Sequence, residues 1–428
     1  MVKKLYRRFT ENIFKEAQQD TPVVLIHGCR QCGKTTLARS VGEQMGYHYI
    51  SFDDDNQLRA AKADPVGFVS NLPNRIILDE IQRAPQLFTS IKASVDQNRL
   101  PGRFILTGSA NVLLLPQLAD SLAGRMEIIQ LRPLAQIEIA DQQPTFLQRL
   151  LFNKEINSQW QTDNDNNYRR LGESLAELVC RGGYPSAIAR HTAKRRSLWY
   201  RDYIISIIQH DVKDITNIRN LEILPKLLNL AASQTARLFN IADLAAPFSI
   251  SRPTIREYVT LLKQLFLLEQ LPPWHSNRLN RLIKTPKMHL LDTGLACALL
   301  GVNSQSLWQD KPLFGQLLET YIYQELRKQA DWHEEALHFY HFRNKDKIEV
   351  DIIIEQGRQL AGIEVKAAAT VTHRDFKGLN RIKDACGQQF TVGIVLYDGE
   401  HILPFGEKLF AVPINALIPL DNRGVSTT

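Results

Sequence analysis

The first 140 residues predict an α/β fold built as a doubly wound parallel sheet. Three observations carry this. Five short apolar runs, Val23 to His27, Tyr47 to Phe52, Ile76 to Leu78, Phe104 to Leu106 and Met126 to Leu131, read as buried parallel strands. Helical stretches lie between them, Thr36 to Met45 and Gln86 to Asn98 most clearly, as parallel neighbours require. A glycine-rich turn joins the first run to its helix, and an amphipathic segment from Tyr6 to about Gln19 precedes the whole.

A length of 428 residues is enough for about three domains, each with its own core. The apolar and charged fractions are those of a soluble globular protein. No run of about 18 apolar residues is present, and Met-Val-Lys-Lys-Leu-Tyr-Arg-Arg lacks the apolar core of a signal peptide, so a cytoplasmic protein without a membrane partner is expected. Five cysteines, at 29, 32, 180, 297 and 386, are too sparse for a disulfide framework. Cys29 and Cys32 form a CxxC with no second pair to complete a zinc site, so they read as small fillers of a turn. The net charge of +7 and pI near 9.1 lean toward polyanionic partners.

The turn itself carries chemistry. Gly28 to Thr35 reads Gly-Cys-Arg-Gln-Cys-Gly-Lys-Thr, the phosphate-binding P-loop pattern. Gly28 and Gly33 let the backbone amides of Arg30, Gln31, Cys32, Gly33 and the following residues turn toward phosphates, and the helix opened by Thr35 and Thr36 aims its positive end at them. Lys34 would reach the β and γ phosphates of ATP and the Thr35 hydroxyl would ligate Mg²⁺. Ile76-Ile77-Leu78-Asp79-Glu80 supplies the second half: Asp79 for the metal, Glu80 to accept the proton of the attacking water. Thr107 or Ser109, at the end of the Phe104 strand, is a candidate sensor of the γ-phosphate.

These runs, with Leu-Asp-Glu-Ile-Gln from Leu78, Leu-Thr-Gly-Ser-Ala from Leu106, Ala-Gly-Arg from Ala123 and Arg-Gly-Gly-Tyr-Pro from Arg181, resemble a large prokaryotic family of AAA-type (AAA+) ATPases. The resemblance covers nearly the whole chain and implies a helical lid, a winged-helix region and a nuclease-like tail after the ATPase. It places Arg125 where such enzymes carry an arginine finger for a ring neighbour, the alternative being a surface arginine. Gly183 and Pro185 would begin the lid over the nucleotide. Cys32 departs from the small aliphatic residue expected there, which matters little because backbone amides do the binding. The implied parts are 1–140 for the ATPase core, 141–220 for the lid, 221–300 for the winged helix-turn-helix and 301–428 for an α/β restriction-endonuclease-like domain. Within the lid, Asn153 to Asn167 is a polar insertion.

In the third part Asn240 and Ser251 are placed to cap two helices, Ile241 to Ala246 and Arg252 to Phe266, joined by a tight turn. Ile255, Tyr258, Val259, Leu262 and Phe266 form one face of the longer helix. Arg252, Thr254 and Arg256 lie on the other, where they would meet base edges, while Lys284 and Lys287 would meet phosphates from the wing. Such a unit also serves elsewhere as a plain packing module.

In the fourth part Gln356-Gly357-Arg358-Gln359 reads as a two-residue hairpin turn. That register sets Asp351 opposite Glu364, with Lys366 two residues on and on the same face. Two carboxylates and a lysine form a candidate site for Mg²⁺ or Mn²⁺ and phosphodiester hydrolysis. The set resembles the PD-(D/E)XK nucleases, with Glu319 on the preceding helix as the further acid. A charged hairpin face or a nuclease fold that no longer cuts are the alternatives. The expected protein is thus an oligomeric, ring-forming ATPase acting on duplex or branched DNA, whose tail cuts or grips it. A nucleotide switch with a protein partner, and a nuclease licensed by ATP, are the competing classes.

Overall fold

The computed structural model describes residues 5–109, 122–151, 168–212, 221–275 and 285–419. They fall into two compact units, Met1–Leu134 with Gln264–Phe266, and Ala135–Lys263 with Leu267–Thr428. The polar insertion and Lys284 lie outside the described residues.

The first unit is a five-stranded, all-parallel sheet of order β2-β3-β4-β1-β5. Its strands are β1 (Val23–Gly28), β2 (His48–Ser51), β3 (Ile76–Asp79), β4 (Phe104–Gly108) and β5 (Met126–Leu131). Val23, Leu25, Ile76, Leu78, Phe104 and Leu106 are fully buried in one cluster with Phe52 and Phe88. At roughly 1.5–3 kcal/mol per buried large apolar side chain, this cluster fixes the sheet. β1 lies between β4 and β5, so the loop that leaves it opens at the middle of the sheet.

The helix expected from Thr36 begins at Lys34 and ends at Gly42, followed by a 3₁₀ turn, Glu43–Met45, which Gly46 closes with φ 79°. The first helix starts later than expected, at Thr10. The acidic cluster after β2 is a cap: Asp54 accepts the amide of Asn56 and opens a helix, Asp55–Ala63, that the sequence reading did not assign.

The second unit contains two sheets. One is antiparallel, of order β6-β8-β7, with β6 (Arg237–Leu238), β7 (Leu268–Leu271) and β8 (Lys287–Leu290). It accompanies helices Ile223–Ser233, Ile241–Ala245 and Arg252–Gln264, with Asn240 and Ser251 in the capping roles expected of them. The other has six strands, of order β13-β14-β12-β11-β10-β9. The latter comprises β9 (His338–Arg343), β10 (Glu349–Gln356), β11 (Gln359–Lys366), β12 (Phe390–Tyr397), β13 (Leu403–Gly406) and β14 (Leu409–Pro413). Gln356 pairs with Gln359 and Ile352 with Ile363, the register that the hairpin turn predicts. The long helix Lys311–Ala330, capped by Asp310, and the helix Lys377–Cys386 belong to this region. Helix Thr293–Leu300 is capped by Asp292, whose carboxylate takes the amide of Leu295 and also that of Gly183.

Candidate active site and a second charged cluster

The phosphate loop is shaped by two residues that need glycine. Gly28 has φ 155°, and a Cβ there would come within 2.1 Å of the Leu131 carbonyl oxygen. Gly33 has φ 106° and turns the chain into the Lys34–Gly42 helix. Cys29 and Cys32 are buried free thiols, and the Cys32 thiol donates to the Leu131 carbonyl at 3.2 Å. Arg30 is half-buried and Gln31 and Thr36 are exposed. From beneath, Arg8 donates to the carbonyls of Cys32 at 2.9 Å and Arg132 at 2.8 Å. This clamp was not found from sequence; the only signal is a basic pair before the first helix.

Lys34 is buried, with Nζ 3.0 Å from the Gly28 carbonyl and 2.9 Å from that of Cys29. The Thr35 hydroxyl donates to Asp79 Oδ1 at 2.8 Å. Asp79 Oδ2 accepts from Tyr49 at 2.8 Å, a second contact the sequence did not reveal. Glu80 sits in the left-handed region at φ 56°, and burial raises its carboxyl above the usual range despite the nearby Lys34 charge. Gln82 ties the Glu80 carboxylate to the Ser109 hydroxyl, 2.9 Å from the amide nitrogen. Thr107 is fully buried and its hydroxyl donates to Asp79. That hydroxyl is therefore committed to positioning the acid, which corrects its reading as a γ-phosphate sensor. Arg125 bonds Asp96 at 2.5 Å and the Ala123 carbonyl at 3.1 Å.

In the second unit, Arg252 and Arg256 are exposed on the Arg252–Gln264 helix. The Thr254 hydroxyl lies 2.8 Å from that of Ser251 in the cap. The Gly183 amide is likewise taken, by Asp292 at 2.7 Å, and Pro185 opens the short helix Pro185–Ile188.

Lys287 is the largest correction. It is 2% exposed and cannot meet a phosphate from the surface. Its Nζ lies 2.7 Å from Glu319 Oε1, 3.1 Å from Asp351 Oδ1 and 3.5 Å from Glu349 Oε1. Burial opposes its charge, but these three carboxylates keep the ammonium protonated well beyond the ordinary lysine range. Burial also opposes the Asp351 charge, yet Lys287, Glu364 and the Val365 amide hold that carboxyl below its ordinary value. Burial, and then the Asp351 charge, push Glu319 up to about 8 and Glu364 well above the ordinary value. Lys366, expected to converge with the acids, is paired with Asp375 at 3.3 Å and is 39% exposed. Glu319, Asp351 and Glu364 come together as predicted, but the centre of the set is an ammonium. Among the described residues no group of three or more His, Cys, Asp or Glu side chains is arranged to hold a metal ion. The donor set does not fit a divalent metal here.

Residues 20–140 match a family model described as an AAA domain. The first unit is an AAA-type ATPase domain. Residues 172–306 and 314–417 match two domains of unknown function, DUF8612 and DUF4143. Uncharacterized proteins of Mycobacterium tuberculosis and Mycobacterium bovis are each 28% identical over 415 residues, covering 96% of this chain and 84% of theirs. One of Methanocaldococcus jannaschii is 24% identical over 394 residues, covering 88% of this chain and 82% of its own. Among solved structures, a Walker-type ATPase of Pyrococcus abyssi is similar at TM-score 0.43 and 16% identity, covering 70% of this chain and 99% of that one. The RuvB Holliday junction branch migration motor of Thermotoga maritima is similar at TM-score 0.29 and 18% identity, covering 61% and 89%.

For the AAA domain the donor set fits its ligands. The loop offers amides and one ammonium to a triphosphate, and Thr35 with Asp79 offers hard oxygens to Mg²⁺. No described helix is long and apolar enough to cross a membrane.

Proposed function

We propose that this chain hydrolyses ATP in order to bind and remodel or move along DNA. In the ATPase site Lys34 exchanges its two loop carbonyls for the β and γ phosphates, and loop amides hold the remaining oxygens. Thr35 and Asp79 would hold Mg²⁺, which would supply charge neutralisation to the phosphates. Glu80, held by Gln82, takes the proton of the attacking water, its raised pKa setting it nearer neutrality than a free carboxylate. Asp79 keeps its place because Thr35, Tyr49 and Thr107 all donate to it. Arg125 serves a neighbouring copy in a ring once it leaves Asp96.

The observation that carries the DNA part is the Arg252–Gln264 helix, presented after a tight turn and followed by two antiparallel strands, an order that suits a winged helix-turn-helix. Arg252 and Arg256, one helical turn apart, face solvent and meet no carboxylate among the described residues. The overall charge of +7 adds to this. The test is steady-state ATP turnover with single-stranded, duplex, forked and four-way DNA, alongside binding at low salt. Stimulation by duplex or branched DNA, lost in the double variant Arg252→Glu with Arg256→Glu, supports the reading. Turnover indifferent to every DNA, with no binding at low salt, refutes it and favours a nucleotide switch.

A further inference from the structure

We propose that the Lys287 ammonium is the permanent cation of the buried carboxylate cluster, standing where a nuclease-like domain would hold its divalent metal. The C-terminal domain of this chain therefore takes up neither Mg²⁺ nor Mn²⁺ and cuts no phosphodiester. The inference rests on the geometry of the second unit and is independent of whether the ATPase acts on DNA.

The charges match an ammonium. It donates to Glu319 at 2.7 Å and to Asp351 at 3.1 Å, with Glu349 as a further ion pair at 3.5 Å. A hard divalent ion binds oxygens at about 2.0 to 2.6 Å, so an ion on Asp351 Oδ1 would have to displace Nζ, which lies 3.1 Å from it. The second oxygen of Asp351 is also taken, accepting the Val365 amide at 3.1 Å. Glu349 has a second partner too, Arg343 at 3.1 Å, so cationic side chains already answer the acids.

The ammonium is also fixed. Lys287 sits on β8, the central strand of its sheet, paired with Leu238 of β6 on one side and Leu271 of β7 on the other. Pairing on both edges holds its backbone in place, and the ion pairs to Glu319 and Asp351 hold its Nζ. The cluster is closed from above by the helix Lys377–Cys386. A Cβ on Gly378 would stand 1.9 Å from the Glu349 carbonyl oxygen and 3.0 Å from Glu364 Oε1. The lysine of the nuclease-like pattern, Lys366, is paired with Asp375 at 3.3 Å, and the Glu364 charge also acts on it.

The test is a Mn²⁺ titration of the full chain without nucleotide, by calorimetry and electron paramagnetic resonance, repeated on Asp351→Asn. The wild type is expected to show no Mn²⁺ site that depends on Asp351. Lys287→Ala, with its fold checked by circular dichroism, is expected to gain such a site and to lose it again in Lys287→Ala with Asp351→Asn. If Lys287→Ala does not fold, Lys287→Met, which keeps most of the stem but no charge, takes its place. An Asp351-dependent Mn²⁺ site in the wild type overturns the proposal whatever the variants do. So does a site of that kind that appears in the wild type only when duplex or four-way DNA is added, because the lysine would then be a movable plug. A folded, uncharged variant that binds no Mn²⁺ overturns the claim that the ammonium stands in for a metal.

Discussion

At Lys34, Glu80 and Arg8 the ATPase site can be tested one side chain at a time. Replacing Lys34 by Ala removes the loop's only ammonium, and ATP turnover should fall roughly 100- to 1000-fold, the scale found when one preorganised electrostatic donor is lost. Glu80→Gln should keep nucleotide binding and lose turnover, which separates the base from the binding groups. Burial raises the Glu80 carboxyl. A base works when ionised, so wild-type turnover should climb with pH through a value above the usual carboxylate range, and that climb should vanish in Glu80→Gln. Arg8→Ala leaves the buried carbonyls of Cys32 and Arg132 without their donor, and should destabilise the first unit by about 1–3 kcal/mol in denaturant unfolding while raising KM for ATP.

At the scale of elements, much could be read from the chain because each signal was local. The five parallel strands are continuous apolar runs, and the Gly357 turn set the β10–β11 register by counting alone. Asp351 and Glu364 came together for that reason, whereas Glu319, on the Lys311–Ala330 helix, was assigned by resemblance. What could not be read is what arrives from far away. Lys287 is 32 residues from Glu319 and 64 from Asp351, and nothing in its own strand says that its side chain points inward. Arg8 reaches Arg132 across 124 residues in the same way. Helix Thr293–Leu300 is buried on most sides, so it lacks the polar stripe that marks a surface helix. Strand β13 is short and broken by Pro404 and Gly406, which mask it as a loop. One element-level variant follows: Gly378→Ala drives a methyl into the Glu349 backbone, and should lower the denaturant midpoint by about 1–3 kcal/mol of stability.

For the whole molecule, two compact units mean that unfolding need not be a single transition. ATP with Mg²⁺ at about 100 times its Kd should stabilise the first unit by about 2.7 kcal/mol, and calorimetry should show only one of two transitions moving. The second unit has its own pH signature. Glu319 is raised from 4.5 to about 8, so the folded state holds its proton more tightly and stability is lost as pH rises through that range. Burial lowers His289 and His341 from 6.5 to about 3, so they stay neutral when folded, and their contribution is lost as pH falls from 6.5 toward 3. With two histidines gaining and one glutamate losing stability as pH rises to 6.5, its melting temperature should peak near pH 6.5, and Glu319→Gln should flatten the alkaline side. The placement of Lys287 on a central strand has a last consequence, for sequences rather than for this molecule. In any chain of this architecture, the residue that faces Glu319 and Asp351 from β8 works as a one-letter label. By the proposal above, lysine there labels a C-terminal domain that carries its own cation.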